Sequence, residues 1–105
     1  MKRFLAVYLG TEASMNASGW NALSEAERNE RHQAGIKAWH QWVEDNQASI
    51  LEVGAPLGKT LRASKRGVDT TKNELTGFSV VQVESHEEAA RLFENHPHFT
   101  LFPGD

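Results

Sequence analysis

The sequence has no cysteine and only three prolines among its 105 residues. Without cysteine the chain can form neither disulfides nor thiolate metal sites, and it has no cysteine nucleophile. A chain of this kind fits a reducing compartment, so we expect a cytoplasmic protein.

Long apolar runs are also missing. The first apolar run follows Met1-Lys2-Arg3 and ends at Leu9, whereas a membrane span needs about 20 apolar residues. The same segment lacks the cleavage pattern of a signal peptide. We therefore expect neither a targeting segment nor a membrane partner.

The chain has no excess of basic residues, because its net charge is −3 at pH 7. Binding to nucleic acid requires a basic face that neutralises phosphates, so we expect no nucleic-acid partner. The one basic cluster, Lys59 to Arg66, is typical of a solvated hairpin. With 39% hydrophobic residues the chain can form one small core, and it has no room for a second domain. We expect a single domain over residues 1–105.

Alternation and apolar content predict the strands. Phe4 to Leu9 and Thr76 to Val83 are apolar on both alternating faces, which is typical of strands covered on both sides. Ile50 to Val53 predicts another strand, and the segment Gly54-Ala55-Pro56-Leu57-Gly58 predicts a bend or a sheet edge, because proline cannot donate to a strand ladder. Thr60 to Ala63 can continue this strand, and Lys65 to Glu74 is predicted to form a hairpin tip.

A capping box predicts where the long helix begins. Ser24 and Glu27 have the spacing at which each side chain serves the other residue's backbone amide, and the helix should run to about Gln47. Gly35 either weakens this helix or permits close packing. The core-facing stripe consists of Ile36, Trp39 and Val43.

A second helix is predicted from Ser85 to His96. Pro97 should end this helix and direct His98 away from its axis. The segment from Thr11 to Leu23, rich in serine and asparagine, is predicted to be a loop. One face of the second helix would carry Ala89, Leu92, Phe93 and His96.

The order β-α-β-β-α predicts an α+β protein of the ferredoxin-like split βαβ type, with an antiparallel sheet and two helices on one face. A short fourth strand is possible between Phe99 and Phe102. Such a strand could be short, completed by a partner, or cut off by truncation. Because two strands are apolar on both faces, the face without helices needs a cover, and we expect a homodimer that packs sheet against sheet.

The chain resembles the YCII-related family, including its DGPF-type branch. The resemblance covers most of the chain and rests on the order of short motifs: Gly54-Ala55-Pro56-Leu57, Thr76-Gly77-Phe78, Glu84 to Ala90, and His96-Pro97. It implies a dimeric α/β barrel. Some family members are tied to small aromatic or lactone chemistry through a histidine and an aspartate in the pocket.

Two departures from the family pattern affect the site. His96 stands where some members place an acidic residue, and the Asp-Gly-Pro-Phe signature is replaced by Asp69-Thr70-Thr71-Lys72. A histidine–aspartate pair therefore cannot be carried over to this chain.

The candidate site is a pocket where the helices, the sheet and a partner subunit meet. Histidine is the side chain whose ordinary pKa lies near neutral pH, so His40, His98 and His96 are the candidate catalytic residues. The predicted ligand-binding residues are Trp39, Pro56 and Phe78. The pocket would perform acid–base chemistry on a small aromatic or carbonyl compound, without a cofactor. The alternative is a non-catalytic module that binds a small molecule or a partner.

Each of these residues also has a structural interpretation. His40 could be a polar residue on a helix flank, and Trp39 and Trp42 could be core residues. His96 could stabilise a helix C-terminus, where an imidazolium interacts favourably with the last carbonyls. His98 has no comparable structural explanation in the sequence.

Two further kinds of chemistry find less support. A metal site could be formed by His96 and His98 with His32 or His40, but a spacing of two residues across a proline is not a recognised ligand pattern. The serines considered as nucleophiles have no nucleophile-elbow glycines around them; they are Ser14, Ser64 and Ser79. We expect no bound metal.

Overall fold

The computed structural model describes all residues from 1 to 105. Its strands are β1 (Lys2–Leu9), β2 (Ile50–Pro56), β3 (Thr60–Ser64), β4 (Gly67–Thr71) and β5 (Leu75–Val83). Its helices are α1 (Glu12–Ser18), α2 (Glu25–Asp45), α3 (His86–Arg91) and α4 (Pro97–Thr100), and short 3₁₀ turns occupy Trp20–Ala22 and Gln47–Ser49. None of the helices combines the length and the apolar character needed to cross a membrane.

The main sheet has three antiparallel strands in the order β1-β5-β2. Phe4 lies opposite Val81 and Tyr8 lies opposite Gly77. β2 is an edge strand, as its Pro56 requires. The strands β3 and β4 form a separate hairpin sheet. The chain is therefore an α+β protein with antiparallel sheets, and it is compatible with a ferredoxin-like fold.

One face of the main sheet carries the helices. Val81 and Val83 of β5 pack with Ala89 of α3 in the buried core. Trp39 of α2 packs on Tyr8 of β1, with ring centroids 5.1 Å apart. Residues on one face of a strand alternate, and the register puts Tyr8 on the same face as Val81. Consequently α2 and α3 cover the same side of the sheet.

The other side of the sheet is uncovered. Leu5 is 67% exposed and Val7 is 45% exposed, and they lie opposite Val80 and Phe78 of the central strand. We call these four residues the open face. Large apolar side chains in this position were the basis for expecting a partner.

The capping box at the start of α2 forms as predicted. The Ser24 side chain accepts a hydrogen bond from the Glu27 amide, and the Glu27 carboxylate accepts one from the Ser24 amide. Gly35 is buried, and a Cβ added to it would lie 2.5 Å from the ring of Phe102. Of the two interpretations of this glycine, the structure supports close packing.

The prediction of a loop from Thr11 to Leu23 was wrong. Helix α1 occupies part of this segment, and it begins with a capping box formed by Thr11 and Ser14. In this box the Thr11 side chain accepts a hydrogen bond from the Ser14 amide, and the Ser14 hydroxyl accepts one from the Thr11 amide. The serine replaces the usual glutamate, so the expected sequence signature was missing.

The second predicted helix is shorter than expected. Helix α3 ends at Arg91, and Asn95 adopts a left-handed conformation with φ of 56°. His96 is then the N-cap of the next helix, α4, and Pro97 is in its first turn. Proline at the first helical position is favourable because its missing amide would have no partner there. Pro97 thus begins a helix rather than ending one.

The prediction of a short strand between Phe99 and Phe102 was also wrong, because much of this segment belongs to α4. The edge of β1 is instead contacted by Asp105. The amide and carbonyl of Asp105 form two backbone hydrogen bonds of 2.8 Å with the carbonyl and amide of Leu9.

The hairpin is tighter than predicted. Lys65 and Arg66 alone form the turn, and β4 takes up much of the predicted tip. Arg62 and Asp69 face each other across the two strands, with 3.5 Å between nitrogen and oxygen. Both side chains are largely exposed, so this ion pair adds little stability.

Candidate functional site

A cavity of about 700 Å³ lies between α2 and the main sheet. Helix α2 contributes Trp39 and His40 to its lining, and β2 contributes Pro56. Tyr8 of β1 and His98 of α4 line the same cavity. The volume falls in the range typical of small-molecule sites, and most of the lining is apolar or aromatic.

Tyr8 is fixed by a hydrogen-bond chain that crosses the sheet. Its hydroxyl lies 2.7 Å from Ser79 Oγ, and Ser79 Oγ donates to the Val53 carbonyl over 2.7 Å. A carbonyl can only accept, so the single hydroxyl proton of Ser79 is used there and Tyr8 must be the donor to Ser79. Burial raises the pKa of Tyr8, and the hydrogen bond with Ser79 partly offsets this. The phenol is therefore protonated at neutral pH.

The chain end and β1 hold His98 in place. His98 Nε2 lies 2.8 Å from the Leu9 carbonyl oxygen, which also accepts the amide of Asp105. Because this carbonyl is an acceptor, Nε2 carries the ring proton and Nδ1 of the neutral ring has the lone pair. Gly104 packs against the His98 ring so closely that an added Cβ would collide with it.

His96 has a structural role. Its side chain is 1% exposed and lies outside the cavity lining. Nδ1 accepts a hydrogen bond of 3.0 Å from the His98 amide, so Nε2 carries the proton, and this buried atom has no hydrogen-bond partner. The ring is surrounded by Trp39 and Trp42, at centroid distances of 4.4 and 4.6 Å, and by Tyr8.

Burial lowers the pKa of His96 to about 4, and repulsion from His98 contributes to the decrease. A group that stays neutral across the physiological range cannot exchange protons with a ligand easily. The prediction that His96 would be a catalytic residue therefore finds no support in the geometry, which makes it an aromatic-enclosed cap of α4.

His40 is exposed at the mouth of the cavity. It lies one turn before Glu44 on α2, and both side chains line the opening. His40 has no hydrogen-bond partner within the chain, so it can reach a ligand but is not oriented for one. The structural interpretation of His40, a polar residue on a helix flank, describes its position equally well.

The three predicted ligand-binding residues, Trp39, Pro56 and Phe78, all border the cavity. Trp39 is half-buried and also supports the core through its contact with Tyr8. The alternation of β5 orients the Phe78 side chain toward the open face and away from α2, so its predicted role in ligand binding finds no support in the geometry. Trp42 is half-buried outside the cavity lining, where it packs on Phe93 and His96 and its Nε1 donates to the Leu92 carbonyl.

The alternative metal cluster does not form. His32 packs edge-on against Phe102, and His96 is enclosed by aromatic rings. No group of three or more histidine, aspartate or glutamate side chains is arranged to hold a metal ion.

Sequence reasoning missed Tyr8 and Gly104, and it considered Ser79 only as a nucleophile and not as the hydrogen-bond partner of Tyr8. Ser79 is the only hydroxyl side chain at a helix-facing position within the apolar part of β5, and this is a signal that could have indicated a buried polar partner. Its partner Tyr8 lies in β1, and no local pattern links the two strands. Gly104 carries no signal without the position of His98.

The chain matches no family model, no curated protein and no solved structure.

Proposed function

We propose that the chain binds a small, flat and largely apolar molecule in this cavity. The observation that carries the proposal is the grouping of Tyr8, Trp39 and His98 on one cavity of about 700 Å³. The centroid of Tyr8 lies 5.1 Å from those of Trp39 and His98, so the three rings form a continuous aromatic wall. Aromatic walls of this kind favour stacked or edge-on contacts with a planar ligand.

Binding can be tested by filling the cavity. Ile36 of α2 lines the cavity and is 41% exposed, so Ile36→Trp should occupy part of the space without disturbing the buried core. Leu61 lies in the hairpin and is 65% exposed, and Leu61→Trp is the matched control. Titration of naphthalene by ligand-observed NMR should show binding to the wild type and to Leu61→Trp, and weakened binding to Ile36→Trp. Absence of binding to the wild type would refute the proposal.

A second candidate function is acid–base catalysis by His98. The Leu9 carbonyl fixes the proton on Nε2, which leaves Nδ1 as the basic atom of a ring that lines the cavity. This is how a general base is oriented in many enzymes. His96 has no part in this mechanism, and His40 could contribute only from the mouth.

Proton transfer can be detected without knowing the reaction. A bound compound is incubated with the protein in deuterium oxide, and exchange of its carbon-bound hydrogens is followed by NMR. His98→Gln preserves a donor that can reach the Leu9 carbonyl but removes the titratable ring, so it should bind and not exchange. Equal exchange by the wild type and His98→Gln would contradict the catalytic role.

We also propose that the chain belongs to the YCII-related family and forms a homodimer through its open face. The order of strands and helices supports the resemblance, and the exposed Leu5 and Val7 support a partner on this side. Leu5 is 67% exposed and the hairpin residue Leu61 is 65% exposed, so they make a matched pair. Leu5→Lys should shift the mass measured by light scattering from dimer to monomer, whereas Leu61→Lys should not. A monomeric wild type would contradict the proposal.

A further inference from the structure

We infer that the cavity selects ligands that donate hydrogen bonds, with a phenol or an aromatic amine as the fitting class. The inference rests on the proposed binding function and adds the polarity of the ligand to it. The basis is the number of polar side-chain atoms in the cavity lining that can still donate a hydrogen bond, compared with the number that can still accept one.

Tyr8 can only accept a hydrogen bond from a ligand. Its hydroxyl proton is committed to Ser79, because the proton of Ser79 is itself committed to the Val53 carbonyl. The lone pairs of Tyr8 Oη remain free. A hydroxyl group can both donate and accept hydrogen bonds. The hydrogen bonds from Tyr8 to Ser79 and from Ser79 to Val53 leave the Tyr8 hydroxyl able only to accept.

His98 and Thr76 are acceptors for the same reason. His98 Nε2–H is used by the Leu9 carbonyl, which leaves Nδ1 with a lone pair. Thr76 Oγ1 donates its proton to the Tyr8 carbonyl over 3.0 Å and retains its lone pairs. Both residues line the cavity. In each case a backbone carbonyl has taken the only proton that the side chain could have offered.

The mouth of the cavity adds a carboxylate, Glu44, which forms no ion pair in the chain. A carboxylate accepts hydrogen bonds and attracts cationic groups. The remaining side-chain donors on the wall are the indole N–H of Trp39 and the exposed imidazole of His40. The four acceptors, Tyr8, His98, Thr76 and Glu44, therefore outnumber the two donors.

This imbalance discriminates between ligands of equal shape. A phenol or aromatic amine can donate hydrogen bonds to the acceptors of the cavity wall. An aryl ether or ketone has only acceptor atoms, so the acceptors of the wall and of the ligand lose their water on binding and stay without a hydrogen bond. A carboxylate ligand is also opposed by Glu44. Sites that hydrogen-bond a ligand hydroxyl reject analogues that lack it. We therefore expect a phenol to bind with a Kd about tenfold or more lower than that of the corresponding ether.

The test compares compounds with the same ring system. At neutral pH, isothermal titration calorimetry measures the Kd of naphthalene, β-naphthol, the methyl ether of β-naphthol, and β-naphthoate. The naphthol should bind about tenfold or more tightly than the ether, and the naphthoate most weakly. If the ether or the naphthoate binds as well as the naphthol, the inference on polarity is overturned and the binding function stands. If no compound binds, the binding function itself fails.

Two variants test the hydrogen-bond chain behind this preference. Tyr8→Phe removes an acceptor and should reduce the ratio of ether Kd to naphthol Kd. Ser79→Ala removes the group that accepts the Tyr8 proton, so the Tyr8 hydroxyl becomes free to donate, and the ether should gain affinity. Ser79 acts on the ligand only through Tyr8. If its role were merely structural, Ser79→Ala would raise the Kd of the naphthol and of the ether by the same factor. An unchanged ratio in folded Ser79→Ala would overturn the assignment of Tyr8.

Discussion

Acidification should destabilise the chain through His96. In the folded chain burial lowers the pKa of His96 from 6.5 to about 4. The unfolded chain therefore takes up a proton as the pH falls below about 6.5, while the folded chain does not until about pH 4. The stability contributed by the neutral ring is complete above this range and is lost as the pH falls through it.

The magnitude follows from the difference between the two pKa values. One pKa unit corresponds to about 1.4 kcal/mol, so the free energy of unfolding should fall by roughly 3 kcal/mol across this range. The structural cause is visible at both ring nitrogens. Nδ1 accepts the His98 amide and would lose this bond on protonation, and Nε2 is already a buried donor without a partner. For a small domain this is a large part of the total stability.

Urea unfolding followed by tryptophan fluorescence measures the effect at several pH values between neutrality and pH about 4. His96→Phe retains an aromatic ring in the enclosure and cannot titrate, so its stability should depend much less on pH in this range. His40→Gln removes an exposed histidine and is the matched control, with the pH dependence of the wild type. If His96→Phe and the wild type lose the same stability, the reasoning is refuted. That result would mean that the pKa of His96 is similar in the folded and unfolded chains.

Two glycines should tolerate alanine poorly, and each has its own readout. The added methyl group of Gly35→Ala would collide with the ring of Phe102. The strain should outweigh the gain in helix propensity, so the free energy of unfolding measured by thermal unfolding should fall by about 1–3 kcal/mol. Gly58→Ala, where an added Cβ meets no neighbour, should change stability far less, and an equal loss would contradict the packing argument. Gly104→Ala should displace the His98 ring and break its bond to the chain, so that the Nε2–H signal is lost in nitrogen-15 NMR. An unchanged His98 signal would show that the chain end does not position this ring.

Much of the fold could be predicted from local patterns. The capping box of Ser24 and Glu27 predicted the start of α2, and apolar alternation predicted β1 and β5, because these features depend on residues near each other in the chain. The segment around Pro56 was predicted to be a bend or a sheet edge because proline lacks an amide proton, and β2 is an edge strand. Where local signals are ambiguous the prediction was wrong. Pro97 can end one helix or begin another, and the left-handed Asn95 before it decided the outcome.

The residue types of the site could also be predicted, but their roles could not. Trp39, Pro56, His40 and His98 were expected at a pocket, and they border the cavity. His96 was expected there too, yet the turn after α3 directs it into the aromatic enclosure. Whether an imidazole faces a ligand or caps a helix depends on the packing of segments far apart in sequence.

The sequence by itself determined the chemical groups available to this protein: no thiols, five histidines, and a tyrosine and a serine in two apolar strands. Only the tertiary structure decided which of these groups donate and which accept. Tyr8 meets Ser79 across 71 positions of the chain, and His98 meets Leu9 across 89. A hydroxyl or imidazole proton is assigned by the partner that takes it, and for these side chains the partner is supplied by strand pairing and by the return of the chain end to β1.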